Sequence, residues 1–305
     1  MAANIGHRYD GYAQSTGPEG MTGSVGVMTA VALGLTVLVV LTLVAGCALL
    51  PAGVGTSATV TSDLPYATTT SIAPTTTSSL PPATVTTAPP ATTTTKTVAI
   101  PKEGKEYAIL PTDDKVVALT FDAAYDPEPL NGILAALKAG NAKGTFFLTG
   151  EFVRDFPDSV RAIRAAGHAI GNHSWSHPDF VNENQEEIRS QLRRTAAALE
   201  ELGVADPRPL FRFPYGSRNA RTLEVVAAEG YLSYFWTIDT LDWKEDRTSE
   251  QVRASVLDRL RPGAIVLMHV GSRQTESVLP QLLEDLADRG YKTIGLREAL
   301  EVYGT

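Results

Sequence analysis

The chain has one cysteine, Cys47, among 305 residues, so neither an internal disulfide nor a CxxC zinc or redox site can form. Basic residues are in deficit, 26 Lys and Arg against 34 Asp and Glu, for a formal net charge of -8. That balance argues against a nucleic-acid partner. Charge of either sign is scarce where the chain begins. The first 97 residues hold only Arg8, Asp10, Glu19, Asp63 and Lys96, and nothing charged lies between Glu19 and Asp63. Aromatics are missing as well from residues 56–97, Tyr66 excepted. Without large apolar side chains that stretch cannot offset the entropy of ordering a core.

Two features occupy this charge-poor third. Residues 25–50 are strongly apolar and exceed the span of about 20 residues that a bilayer-crossing helix needs. A core helix is excluded, because no globular sequence surrounds the run. The expectation is a transmembrane signal anchor behind a short cytoplasmic tail, residues 1–24. The alternative is a lipoprotein signal, since Leu43-Val44-Ala45-Gly46-Cys47 resembles a bacterial lipobox and would place a lipid on Cys47. The run is long for a signal peptide's apolar region of about 7–15 residues. Either way, the rest of the chain is expected outside the cytoplasm, tied to the membrane through its N-terminal segment. Residues 51–99 read as a low-complexity linker. Between 56 and 97, 17 Thr, 5 Ser and 6 Pro make up two thirds of the residues, the composition of a disordered, semi-extended stalk.

From residue 100 to 305 the pattern changes to apolar runs alternating with helical segments. Strands are expected at 115–122, 144–148, 169–173, 210–213, 231–238, 264–270 and 291–294. Helices are expected at 127–139, 159–166, 184–202, 220–228, 249–260, 278–288 and 296–302, the first capped by Asp126 with Pro127 at its first position. Strands alternating with helices pair in parallel through right-handed crossovers. Seven such units fit a distorted (β/α)7 barrel, an α/β fold whose chemistry collects at the C-terminal ends of its strands.

The residues at those ends are Asp122, His173, Arg212, Asp239 and His269, all ionisable. Strand ends serving only packing would rarely give this set. His173-Ser-Trp-Ser-His177 puts two imidazoles four apart, so a helical turn there would aim both at one metal ion. Arg212 lies between Phe211 and Phe213 in a strand, where an unpaired charge is prohibitive, so Asp122 or Asp239 is expected beside it.

Taken in order, the segments Thr120-Phe121-Asp122-Ala123, His173-Ser174-Trp175-Ser176-His177, Arg212-Phe213-Pro214-Tyr215, Asp239-Thr240-Leu241-Asp242-Trp243 and Leu267-Met268-His269 resemble the five motifs of the polysaccharide deacetylase family, the NodB-homology domain of carbohydrate esterase family 4. The resemblance covers about residues 115–295. It implies a divalent metal ion, zinc first, then cobalt, nickel or manganese, on His173 and His177. It also implies Asp122 as general base, His269 as general acid, and the backbone N–H of Tyr215 as oxyanion donor. Arg212 would orient Asp122, Asp239 would hold His269 and raise its pKa, and Trp243 would line the sugar groove. Trp175 is read equally as groove wall or as packing. His7 and His168 receive no role.

One position departs from the family pattern. Its second acidic residue in the first motif, a metal ligand, is here Ala123. Asp126, a water molecule or bound substrate could fill the place, although Asp126 already has a capping role. The expected function is removal of N-acetyl groups from a cell-wall or chitin-like polysaccharide. The alternatives are a catalytically weakened glycan-binding protein and an O-acetyl esterase on acetylated polysaccharide.

Overall fold

The computed structural model describes residues 104–304. The expected cytoplasmic tail, apolar segment, Cys47 and linker lie outside these residues. Among the described residues, no helix is long and apolar enough to cross a membrane.

In chain order the elements are β1 (Glu106–Tyr107), β2 (Val116–Ala123), α1 (Leu130–Ala139), β3 (Gly144–Leu148), α2 (Gly150–Asp155), α3 (Pro157–Ala165), β4 (Ala169–Asn172), α4 (Gln185–Glu201), β5 (Leu210–Phe211), α5 (Ala220–Ala228), β6 (Leu232–Tyr234), β7 (Ile238–Asp239), α6 (Ser249–Leu257), β8 (Ala264–His269), α7 (Arg273–Asp288), β9 (Lys292–Thr293) and α8 (Leu296–Tyr303). The strands form one parallel sheet in the order β1-β6-β5-β4-β3-β2-β8-β7, with β9 paired to β2. The sheet curls toward closure where the chain after β1 and before β7 meets β8. Ile109 makes an antiparallel bridge to Ala264, and the Thr237 N–H donates to the Ile265 carbonyl at 2.8 Å. The expected distorted barrel therefore forms, as a curled half-barrel sheet with helices outside.

β2 organises the site. All eight of its residues are buried, as a strand covered on both faces must be. Side chains alternate along it. Val117, Leu119, Phe121 and Ala123 join the apolar layer under α1 and α7, whereas Ala118 joins the interior cluster with Phe147, Leu210, Tyr234 and Ile265. Thr120 and Asp122 share the interior face with Ala118. Period-two alternation thus aims a carboxylate into the barrel mouth.

Several expected boundaries shift for local reasons. α1 begins at Leu130 rather than at 127; Asp126 instead closes a tighter turn, its Oδ1 accepting the Glu128 N–H at 2.9 Å. The strand expected at 231–238 splits into β6 and β7, because Phe235–Thr237 carries the chain from the edge of β6 to β8. α2 was not expected; Thr149 caps its six residues by accepting the Phe152 N–H at 3.1 Å. β1 went unread, two residues being too short for any periodicity.

The interior is tight at β4. A Cβ on Gly171 would stand 2.7 Å from the Phe147 ring and 3.0 Å from Leu210 Cβ, below any ordinary contact. Gly171→Ala is therefore expected to cost about 1–3 kcal/mol by overpacking. Urea unfolding checks this, and an unchanged midpoint would refute the account of the interior.

Candidate active site

The site is assembled on Arg212, which follows β5 and is 1% exposed. Oxygen acceptors meet its guanidinium, which lies over the Phe147 ring at 4.4 Å. Nε donates to the Tyr234 carbonyl at 2.9 Å and Nη2 to the Phe235 carbonyl at 3.0 Å. Nη1 donates to Thr120 Oγ1 and to Asp122 Oδ1, both at 2.8 Å. Of the two carboxylates expected as its partner, the structure selects Asp122. Removing one member of such a buried pair typically costs about 3–5 kcal/mol.

Asp122 also faces His173, with Oδ2 3.5 Å from Nε2. His173 Nδ1 lies 2.9 Å from the Arg212 carbonyl oxygen. A carbonyl only accepts, so Nδ1 carries the proton and Nε2 keeps its lone pair in the neutral ring. His177 follows, with ring centroids 4.8 Å apart. The two rings do not meet through a helical turn, as the spacing implied. Residues 173–178 form no helix, and left-handed backbone at Ser174 (φ 70°) and His177 (φ 60°) folds the loop back on itself. Burial drives both imidazoles toward the neutral form: His173 lies below its ordinary pKa despite Asp122, and His177 well below, pushed further by its two histidine neighbours.

His269 closes β8 directly beside Asp122, since the two are register partners in adjacent parallel strands. Its expected partner, Asp239, is corrected by the structure. Asp242 holds it instead, its Oδ1 accepting from Nδ1 at 2.7 Å and its Oδ2 accepting the His269 backbone N–H at 2.9 Å. Thr275 Oγ1 donates to the same Oδ2 at 2.5 Å. Burial opposes charge on His269, but Asp242, with smaller contributions from Asp122 and from Asp239 as expected, outweighs it and raises the imidazole's pKa. The histidine in turn holds Asp242 below the usual carboxylate range against its own burial. Asp239 ends β7 and accepts the Leu241 N–H at 2.9 Å, with its pKa raised by burial. The fourth motif offers two aspartates three apart, and spacing alone does not say which one meets His269. Leu241, left-handed at φ 55°, makes the turn that presents the second.

Tyr215 sits in the turn Pro214–Gly216 with φ 57° and ψ 5°. Its ring meets His177 edge-on at 4.5 Å, which brings the residue expected as oxyanion donor beside the second imidazole. Trp243 is half-buried, with Lys244 Nζ 5.4 Å from its ring centroid. Trp175 resolves toward packing. Its ring covers Gly150, where an added Cβ would lie 2.1 Å from it, and Arg194 stacks over it at 4.1 Å.

The residues present fit a metal ion in part. Two neutral nitrogen donors stand side by side, and His177 Nδ1 is buried with no hydrogen-bond partner, as a ligand awaiting an ion would be. No third ligand joins them. Among the described residues, no three His, Cys, Asp or Glu side chains converge as a metal set. Asp126 is therefore not brought to the histidines, and its carboxylate serves the turn at Glu128 instead. Ala123, 2% exposed, is packed in the outer apolar layer. Thr120, Asn172 and Thr275 complete the polar framework. Thr120 belongs to the first motif but drew no role from it, and Asn172 and Thr275 carried no motif, because each acts only through contacts made by distant strands and helices.

Comparison with known proteins agrees with this arrangement. A polysaccharide deacetylase family profile matches residues 110–234. The chain is 35% identical over 190 residues to a peptidoglycan-N-acetylglucosamine deacetylase of Bacillus cereus, covering 61% of this chain and 68% of the relative. It is 31% identical over 182 residues to the peptidoglycan-N-acetylmuramic acid deacetylase PdaA of Bacillus subtilis, covering 59% and 69%. Among solved structures, a CE4 family pseudoenzyme from Bacillus anthracis aligns with TM-score 0.59 and 32% identity over 62% of this chain and 66% of that one. A mutant of the pseudoenzyme, described as having restored enzymatic activity, aligns with TM-score 0.59 and 34% identity over 62% and 68%. With the five motifs gathered at one mouth of a curled parallel sheet, and with relatives matched across two thirds of their length, the chain belongs to the polysaccharide deacetylase family, carbohydrate esterase family 4.

Proposed function

We propose that the protein removes N-acetyl groups from an amino-sugar polymer of the cell envelope, peptidoglycan or a chitin-like glycan, outside the cytoplasm. One observation carries this reading. Asp122 and His269 are neighbours on adjacent strands, and each is locked by its own buried partner of opposite charge, Arg212 and Asp242. A binding site has no use for a paired base and acid. The extracytoplasmic placement rests on the apolar segment 25–50 and the Thr/Ser/Pro tract behind it, which would tether the domain to the membrane and give it reach.

Hydrolysis of the acetamide forms a carbon–oxygen bond and breaks a carbon–nitrogen bond. Asp122 accepts the proton of the attacking water, oriented by the Arg212 fork. The backbone at Tyr215 donates to the carbonyl oxygen as it gains charge. His269, held as imidazolium by Asp242, protonates the departing nitrogen, so acetate and a free amino sugar leave. Trp243 offers a partly exposed ring to the sugar. Family members are generally metal dependent. A divalent ion on His173 and His177, zinc foremost with cobalt, nickel or manganese as substitutes, would supply polarisation of the carbonyl.

A second reading has its own support. Ala123 removes a carboxylate from the site, and a pseudoenzyme is among the structural relatives. The protein would then bind envelope glycan without turning it over. O-acetyl ester cleavage is a third outcome that the same assay separates.

Four results are expected. Acetate is released from peptidoglycan or N-acetylglucosamine oligomers, but not from acetylated xylan, and a chelator stops it. His177→Ala abolishes release while the thermal transition persists; retained release would refute the metal role. Ala123→Asp tightens zinc binding, the new carboxylate at the strand end turning from the apolar layer that holds Ala123 toward the histidines; equal affinities by titration would refute that. Finally, the raised pKa of His269 means its acid form is lost as pH rises through that value. Asp242→Asn therefore moves the alkaline limb of the pH profile, and the His269 NMR titration, to lower pH. A larger effect from Asp239→Asn would overturn the assignment of Asp242.

A further inference from the structure

The segment after His173 is held in an unusual way. Four consecutive backbone N–H groups, residues 174–177, each donate to a side chain. Ser174 N–H goes to Asn172 Oδ1 at 2.9 Å and His177 N–H to Ser174 Oγ at 3.1 Å. The middle two both go to Gln191 Oε1, from Trp175 at 2.7 Å and from Ser176 at 2.9 Å. Gln191 Nε2 then donates to Ser176 Oγ at 3.0 Å, so one side chain makes three bonds to this loop. Asn172 and Ser174 belong to the loop itself or its threshold. Of the three acceptors, Gln191 alone lies on another element, the second turn of α4.

The carbonyls of Ser174 and Trp175 are tied separately, accepting from the Gly150 and Glu151 N–H groups at 2.9 and 3.0 Å, so Gln191 is what holds the amide side of the loop. Two left-handed residues, Ser174 and His177, leave no helical or strand ladder to position the second imidazole. Ala123 adds to the demand: with two protein ligands in place of three, the metal cannot correct a misplaced histidine. We propose that Gln191 is a positioning residue that holds His177 against His173 in ligating geometry. It touches neither substrate nor metal and acts through the amides of Trp175 and Ser176. The proposal rests on the metal reading above.

The test uses the full chain and zinc alone, titrated in competition with a chromophoric chelator. Gln191→Met keeps the length of the side chain and removes its donors and acceptor. Gln191→Glu keeps an acceptor for both amides, and the Ser176 hydroxyl can turn to donate to it. Outer partners of metal ligands typically govern about 10–100-fold in affinity. Q191M is expected to lose that much, and Q191E to stay within about threefold of the natural protein, a rescue that a packing role alone would not give. Equal zinc affinities for Q191M and the natural chain would overturn the proposal. Absence of zinc binding by the natural chain would instead overturn the metal reading, and the proposal with it. A measurement without variants guards against poor folding of Q191M: amide exchange at Trp175 and Ser176 should be slow in the natural protein, and exchange at the rate of an open loop would contradict the clamp.

Discussion

The ion pair between Arg212 and Asp122 is the constraint around which the mouth of the barrel is built. A guanidinium 1% exposed can exist only if its donors are met, and the acceptors come from β2 and from the chain at the end of β6. Satisfying this one cation therefore fixes the relative position of several strands. It also fixes the orientation of Asp122, whose second oxygen is left toward His173. Stability and chemistry share a single device here.

The neighbouring strand repeats the logic with the charges exchanged. Asp242 is fully enclosed and is met by the ring and backbone of His269 and by the Thr275 hydroxyl. Two enclosed pairs thus stand on neighbouring strands, with the carboxylate of one and the imidazole of the other facing the same space. Between them lie two imidazoles that burial keeps neutral. One mouth holds a base, an acid and two metal-ready nitrogens; burial favours the neutral form of the last two, while Asp242 raises the pKa of the acid a few ångströms away.

Much of this was legible in the sequence, for identifiable reasons. Continuous apolar runs marked strands buried on both faces, and the ionisable residues at their ends marked the mouth. The need for a counter-charge beside Arg212 narrowed its partner to two, though the register of β2 was required to choose Asp122. Legibility failed where side-chain direction depends on backbone turns. Asp242 rather than Asp239 meets His269 because Leu241 turns left-handed. The histidines converge through two left-handed residues instead of a helix. Asp126 turns to its own loop rather than to the metal. Gln191 had no sequence mark at all, since only the packing of α4 beside β4 brings it to the loop.

The departure at Ala123 weighs the enzyme against a silent binder. Relatives matched across two thirds of their length are deacetylases by name, yet a pseudoenzyme shares the fold to a similar degree. Of the two enclosed pairs, Arg212–Asp122 also serves the fold, so the His269–Asp242 pair is the one that speaks for chemistry over binding. The most direct measurement counts acetate and newly formed free amine together when the full chain acts on N-acetylglucosamine oligomers with zinc present. Equal amounts of the two, rising with time, are the predicted result; neither product, or acetate without amine, would contradict an N-deacetylase.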